Sequence, residues 1–273
     1  MFSVKKLSGA IGAELAGVDL TNNLSEEILV SINEHLVKHE VVFFRDQDIS
    51  WEQHVKLGKF FGPLQSHPAY NSPPNYPEIT ILESTKDNPS KIECWHTDMT
   101  FLKNPPLCSI LRSKICPSKG GDTMWSSMTA AYESLSASMK NFLKDLTAEH
   151  DFCHGFKESI AEPGGRERLK DAIKDNPPVV HPVIRTHPIT KRKAIFVNPL
   201  FTTKINELSK SESDALLEFL YSYSITPEFT CRFSWTPNSI AIWDNRCTLH
   251  KPINDYFPEP VSYTHLTLPT IYS

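Results

Sequence analysis

Two spacings of apolar residues alternate along this chain and sort it into helices and strands. After Ser25, the residues Leu29, Ile32 and Leu36 fall on one face of a helix that the serine can cap. Ser50-Trp-Glu-Gln53 has the spacing of a capping box, ahead of Val55, Phe60 and Phe61 and a stopping Gly62. Between these helices "VVFFRD" (Val41 to Asp46) is predicted as a buried strand, because β-branched and aromatic residues fit a pleated surface. From His67 to Asn88 the chain is crowded with Pro, Asn and Ser, which predicts a long surface loop interrupted by a short strand at Ile79 to Leu82. Helical spacing returns around Ala130 to Leu146, after Arg166, and from Ser209-Lys-Ser-Glu212 through Leu216, Leu217 and Leu220. The last third carries two strands, "FTCRFSW" and "SIAIWDNR", joined by Thr236-Pro-Asn238. Short strands with peripheral helices, and no regular βα alternation, predict an α+β fold that is mainly β: an antiparallel core decorated by helices, of which a jelly roll is one form.

With 273 residues, no internal repeat and no linker composition, the chain is expected to form a single domain over 1-273. Apolar residues make up 40% and charged residues 22%, the usage of an ordinary globular protein. The net charge of -4 is spread without a basic run, which excludes a phosphate-tracking surface and hence nucleic acid. Apolar runs are too short to span a bilayer, and "MFSVKKLSGA" lacks the apolar core of a signal peptide, so a cytoplasmic location without membrane contact is expected. The six cysteines show no C-x-x-C spacing and are expected to be reduced thiols.

Candidate chemistry centres on "CWHTDMTF". Residues i and i+2 of a strand share a face, so His96 and Asp98 on a strand would address one point in space. Two imidazoles and one carboxylate on one side form the facial triad of a non-haem iron centre, which leaves the opposite positions open. His250, after the strand "IAIWD", is the candidate third ligand. An H-x-D pair alone carries little weight in a chain with eleven histidines. Phosphate-loop, dinucleotide, esterase-elbow and zincin motifs are all absent from the sequence. His181 and His187, each followed by proline, are expected to be satisfied polar residues at strand ends.

With these three residues in view, the sequence resembles the taurine dioxygenase family of iron(II)- and 2-oxoglutarate-dependent oxygenases. The resemblance runs in order through "GVDL", "WHTDMTF", "GGDTMW", "NPPVVHPVIRTHP", "FVNPLFTTKI" and "IAIWDNR" with the following His250 and "DY". It implies a double-stranded β-helix (jelly roll) core with flanking helices, and Fe(II) held by His96, Asp98 and His250. It implies 2-oxoglutarate as co-substrate, its carboxylate hydrogen-bonded by Thr123, and O2 as oxidant, with succinate and CO2 as co-products. His67 and Tyr70 in "HPAY" match positions that hold a sulfonate, while Phe156 and Phe201 match aromatic residues lining the same pocket. The implied substrate is a small anion, a sulfonate such as taurine, a sulfate ester or a carboxylate, and a homo-oligomer (dimer or tetramer) is implied as well.

The sequence departs from the family at three places. Ile92 stands where taurine-cleaving members carry an asparagine that fixes the substrate, which leaves room for other anions. Two arginines of the family, one for the distal carboxylate of 2-oxoglutarate and one for the substrate anion, fall by count at Val261 and His265, and neither residue reproduces a guanidinium fork. From about Glu259 the tail "PVSYTHLTLPTIYS" reads as truncated or foreign, ending before the final strand of the sheet. A non-catalytic jelly roll that binds metal or a small anion is therefore the alternative expectation. A metal-dependent isomerase or hydrolase of the cupin kind ranks after it, since it leaves the family-length match unexplained.

Overall fold

Serine caps set the two N-terminal helices where their spacing placed them. The Ser25 hydroxyl accepts the Ile28 N–H at the start of α1 (Glu26–His39), and Ser50 and Gln53 exchange the reciprocal bonds of a capping box at α2 (Trp51–Phe61). The computed structural model of the chain describes residues 2–269, so the last four residues of the tail lie outside the described residues.

The strands follow in chain order. The first five are β1 (Ser3–Lys6), β2 (Ala13–Ala16), β3 (Val41–Phe44), β4 (Thr80–Ser84) and β5 (Pro106–Ile115). Then come β6 (Thr123–Ser127), β7 (Thr147–His150), β8 (Val179–Pro182), β9 (Ile184–Thr186) and β10 (Lys193–Ile195). The last are β11 (Thr202–Ile205), β12 (Thr230–Phe233), β13 (Ile240–Asp244), β14 (Thr248–Pro252) and β15 (Val261–Pro269). A seven-stranded sheet has the order β1-β2-β3-β13-β5-β15-β4, and β12-β6-β14 and β11-β7-β8 form three-stranded sheets. Pairing is antiparallel except between β2 and β3.

β3 and β13 are buried on both faces, and their alternation divides two cores. Val42, Phe44, Ile240 and Ile242 pack with Ile32, Leu36 and Leu57 of the helices. Val41, Phe43, Ala241 and Trp243 face the smaller sheet, where Phe43 stacks on Phe233 at 4.1 Å and meets Trp125 edge-on at 5.1 Å. Burying each such side chain is worth about 1.5–3 kcal/mol, so this seam holds the two sheets together. Gly120 and Gly121 both have positive φ, and the N–H of Gly121 donates to Asp255 at 2.8 Å, a turn that feeds Thr123 into β6.

Two expectations are corrected. The helix expected over Ala130 to Leu146 is two, α3 (Met128–Ser134) and α4 (Ala137–Leu143), because Leu135 is extended and the Ser136 hydroxyl caps a new start. The tail, expected to end before the final strand, supplies one: β15 lies between β5 and β4, with Leu266 and Leu268 fully buried. Its alternation of Tyr, His and Thr with Leu suits a strand whose two faces differ. All six cysteines are free thiols, and no helix among the described residues is long and apolar enough to cross a membrane.

Candidate active site

His96 and His250 meet across an isolated antiparallel bridge. The N–H of His96 donates to the carbonyl of His250 at 2.9 Å and that of His250 returns the bond at 2.7 Å. His250 lies on β14 opposite Trp125, on the inner face of the small sheet. Asp98 is not on a strand, as the i, i+2 argument had it: after the bridge the chain turns, with Met99 at φ 50°. The turn is pinned by the Thr97 hydroxyl, which donates to the carbonyl of Thr248 at 2.7 Å. The result is the same convergence by a different route.

One carboxylate oxygen of Asp98, Oδ1, lies 3.8 Å from His96 Nε2 and 3.6 Å from His250 Nε2. The ligand atoms of all three residues fall within 4.8 Å of one another, and all three are buried. Burial lowers the pKa of His96 and of His250 in spite of the nearby carboxylate, so both rings are neutral and offer lone pairs. Nδ1 of His96 lies 3.1 Å from the carbonyl of Cys94, to which it donates, leaving Nε2 free. Burial pushes the Asp98 carboxyl upward, but His250, His265, His96 and the Ser109 hydroxyl outweigh it and hold the pKa at about 2. An ionised carboxylate between neutral imidazoles, out of water, is a donor set that fits a divalent cation of the iron kind.

The remaining candidates gather beside this cluster. His67 packs against Tyr70 at 4.6 Å and Phe156 at 5.9 Å, and Phe156 lies 6.3 Å from Phe201. Nδ1 of His67 accepts the Ala69 N–H at 3.1 Å, so its hydrogen sits on Nε2. Burial, with His265 nearby, takes the His67 pKa down to about 3; burial and Asp98 push Tyr70 up to about 12. Both are neutral hydrogen-bond donors at physiological pH. Thr123 is buried in β6, where its hydroxyl accepts the Trp235 indole N–H at 2.9 Å and keeps its own hydrogen for another partner. His181 and His187 are satisfied as expected: His181 Nε2 lies 2.9 Å from the carbonyl of Thr100, and His187 Nε2 lies 3.0 Å from Asp244.

Three residues escaped the sequence argument. His265, considered only as a replaced arginine, is buried with Nε2 3.6 Å from Oδ2 of Asp98 and stacked on Trp243. Ser109 donates to the same Oδ2 at 2.6 Å, and Asn245 donates to Ser109. The "WDN" run was the available signal for Asn245; nothing in the sequence marks Ser109. A second cluster, His187, Asp244 and Cys247, also has close ligand atoms. There the Arg246 guanidinium grips Asp244 through Nε at 2.8 Å and Nη2 at 2.5 Å, so a cation already fills the carboxylate.

The chain is similar to known proteins over nearly its whole length. A model of the taurine catabolism dioxygenase TauD, TfdA family matches residues 3–266. An alkylsulfatase of Acinetobacter baylyi is 35% identical over 257 residues, covering 93% of this chain and 80% of that protein. An alpha-ketoglutarate-dependent sulfate ester dioxygenase of Pseudomonas putida is 31% identical over 269 residues, covering 97% and 88% respectively. Among solved structures, a taurine dioxygenase from Burkholderia xenovorans aligns with a TM-score of 0.84 at 36% identity, over 99% of this chain and 90% of that one.

Proposed function

The chain belongs to the taurine catabolism dioxygenase TauD, TfdA family, and from that premise we propose that it is an Fe(II)- and 2-oxoglutarate-dependent dioxygenase that hydroxylates the carbon bearing a small anionic head group. Sulfonates, taurine among them, and alkyl sulfate esters are the preferred substrates in this reading, because similar proteins are named for sulfate esters and for taurine. The observation that carries the proposal is the convergence of His96, Asp98 and His250 on one buried point. Two facing sheets seamed by Phe43, Trp125 and Phe233 support a double-stranded β-helix, and the whole chain acts as one cytoplasmic domain that assembles as a dimer or tetramer.

His96, Asp98 and His250 would hold the iron, which when bound supplies dioxygen activation while the co-substrate gives up two electrons in becoming succinate and CO2. The Thr123 hydroxyl donates to the co-substrate carboxylate from the face it shares with Trp125, the partner of His250, two register pairs along β6. His67 Nε2–H and the Tyr70 hydroxyl donate to the anionic head group, and Phe156 and Phe201 exclude water from the reacting carbon. When that carbon carries a sulfonate, the hydroxylated product breaks its C–S bond to give an aldehyde and sulfite. Ile92 replaces an amide with an apolar side chain, which favours a longer or more apolar anion than taurine.

Anaerobic addition of Fe(II) and 2-oxoglutarate should produce a visible charge-transfer band. Admission of air with a panel of alkyl sulfonates and sulfate esters should then yield succinate. Folded, metal-loaded protein that gives neither signal overturns the catalytic reading.

A second reading, an impaired homologue that binds metal and a small anion, is favoured by one observation. Val261 and His265 offer no guanidinium, and Arg246 is committed to Asp244. We read the segment from about Glu259 as foreign to the family's pattern on the same ground, although it pairs as β15. Val261→Arg combined with His265→Arg should then recover 2-oxoglutarate affinity, and unchanged affinity in the folded double variant counts against it.

A further inference from the structure

Asp98 presents two carboxylate oxygens to two different environments. Oδ1 faces both histidine Nε2 atoms, at 3.8 and 3.6 Å. Oδ2 is turned to the wall of the large sheet, where it accepts the Ser109 hydroxyl at 2.6 Å. The His265 ring lies 3.6 Å from the same oxygen and has no hydrogen-bond partner at Nε2.

Behind Ser109 the bonds run in one direction. Its Oγ accepts from Asn245 Nδ2 at 2.8 Å, and Asn245 Oδ1 accepts from Trp243 Nε1 at 2.9 Å. An indole nitrogen can only donate, so Trp243 fixes which way round the Asn245 amide lies. The amide then aims its NH2 at Ser109, which directs the Ser109 hydrogen to the carboxylate. Every member is buried: Ser109 is 0% exposed, and Asn245 and Trp243 are each 1% exposed. Away from water, each bond in such a chain strengthens its neighbours, and reversing any one of them strands a polar group. Trp243 and Ser109 are register partners on β13 and β5, so the ladder of the large sheet sets the spacing of the relay.

We infer that Trp243, Asn245 and Ser109 are positioning residues, a one-way hydrogen-bond relay that engages Oδ2 of Asp98 and reserves Oδ1 for a divalent metal. A carboxylate can hold a cation through one oxygen or two; engaging Oδ2 enforces the first and keeps the adjacent coordination position for the co-substrate. This rests on the reading of His96, Asp98 and His250 as metal ligands.

The test is Mn(II) titration of the full-length apo protein, with free Mn(II) followed by electron paramagnetic resonance. A wild-type chain that takes up no Mn(II) overturns the ligand reading itself. Given wild-type binding, Ser109→Ala should weaken affinity about 10–100-fold, the usual effect of losing a partner that orients a ligand. Trp243→Phe keeps an aromatic ring at this position and removes the indole donor, three hydrogen bonds away from Asp98; it should weaken affinity in the same sense. Leu220→Ala, in a core remote from the relay, should destabilise the fold and leave affinity at the wild-type value. Wild-type affinity in both relay variants overturns the inference, and so does an equal loss in Leu220→Ala. Should Ser109→Ala fail to fold, Trp243→Phe decides alone.

Discussion

At the scale of single residues, burial decides what each titratable group can do. Removing one of the three converging side chains, as in Asp98→Ala or His250→Ala, should abolish Mn(II) uptake in the same titration and all substrate-dependent succinate formation. Glu40 makes a prediction of a different kind. It is 3% exposed, at the left-handed residue that ends α1, and desolvation raises its carboxyl to about 7 against the pull of Ser127, Thr129 and Arg192. The unfolded carboxyl titrates near 4.5. Between these values the folded chain holds a proton that the unfolded chain has lost, so stability falls as pH rises from about 4.5 to about 7 and levels off above. Glu40→Gln should remove that slope and gain on the order of 2–3 kcal/mol at pH 8, read from melting curves across pH. Asp244 acts in the opposite sense: held at about 2, it contributes stability above its ordinary 3.8 that is lost as pH falls toward 2. The triad was legible at this scale because histidine and aspartate announce their chemistry; Ser109 was not, since a serine on a strand looks alike whether it faces a carboxylate or solvent.

At the scale of elements, the turn that carries Asp98 is held from behind by a buried polar cluster. Thr100, two residues on, receives at Oγ1 a bond from Asn198 Nδ2 at 3.0 Å and lies 2.9 Å from His150 Nδ1, while the amide oxygen of Asn198 accepts the N–H groups of Leu200 and Phe201. One amide thus links the turn bearing Asp98 to the aromatic wall at Phe201. Thr100→Val, the same shape without the hydroxyl, should cost about 1–3 kcal/mol by leaving the Asn198 and His150 groups unpaired. It should also raise KM for a substrate more than it lowers kcat, as steady-state kinetics would check. The caps at Ser25, Ser50 and Ser209 made three helices readable, because the rule that fixes them spans only three or four residues. The break at Leu135 and the departure of Asp98 from strand geometry were hidden, since each depends on partners far along the chain: Asp98's turn rests on Thr248.

At the scale of the whole molecule, the candidate centre lies between two sheets whose seam is a buried core of the protein, so binding there should be felt by the entire fold. Mn(II) at a hundred times its dissociation constant should stabilise the chain by about 2.7 kcal/mol. Unfolding should move up by roughly 5–10 °C in calorimetry. EDTA should reverse the shift, and Asp98→Ala should show none. The α+β class with antiparallel sheets was readable from short strands without βα alternation, though helices take a larger share than the expected mainly β content. Strand order was not readable, because sheet neighbours such as β13 and β5 are separated by more than a hundred residues. Truncation before Val261 should abolish the cooperative melt, since β15 is paired on both sides. That interior seat also bears on synthesis. The ribosome delivers β15 about 150 residues after β5, on the order of ten seconds later. Through that interval the nascent chain carries two open strand edges, at β4 and β5, and its exposure to chaperones and to mispairing with neighbouring polypeptides is set by the pace of translation.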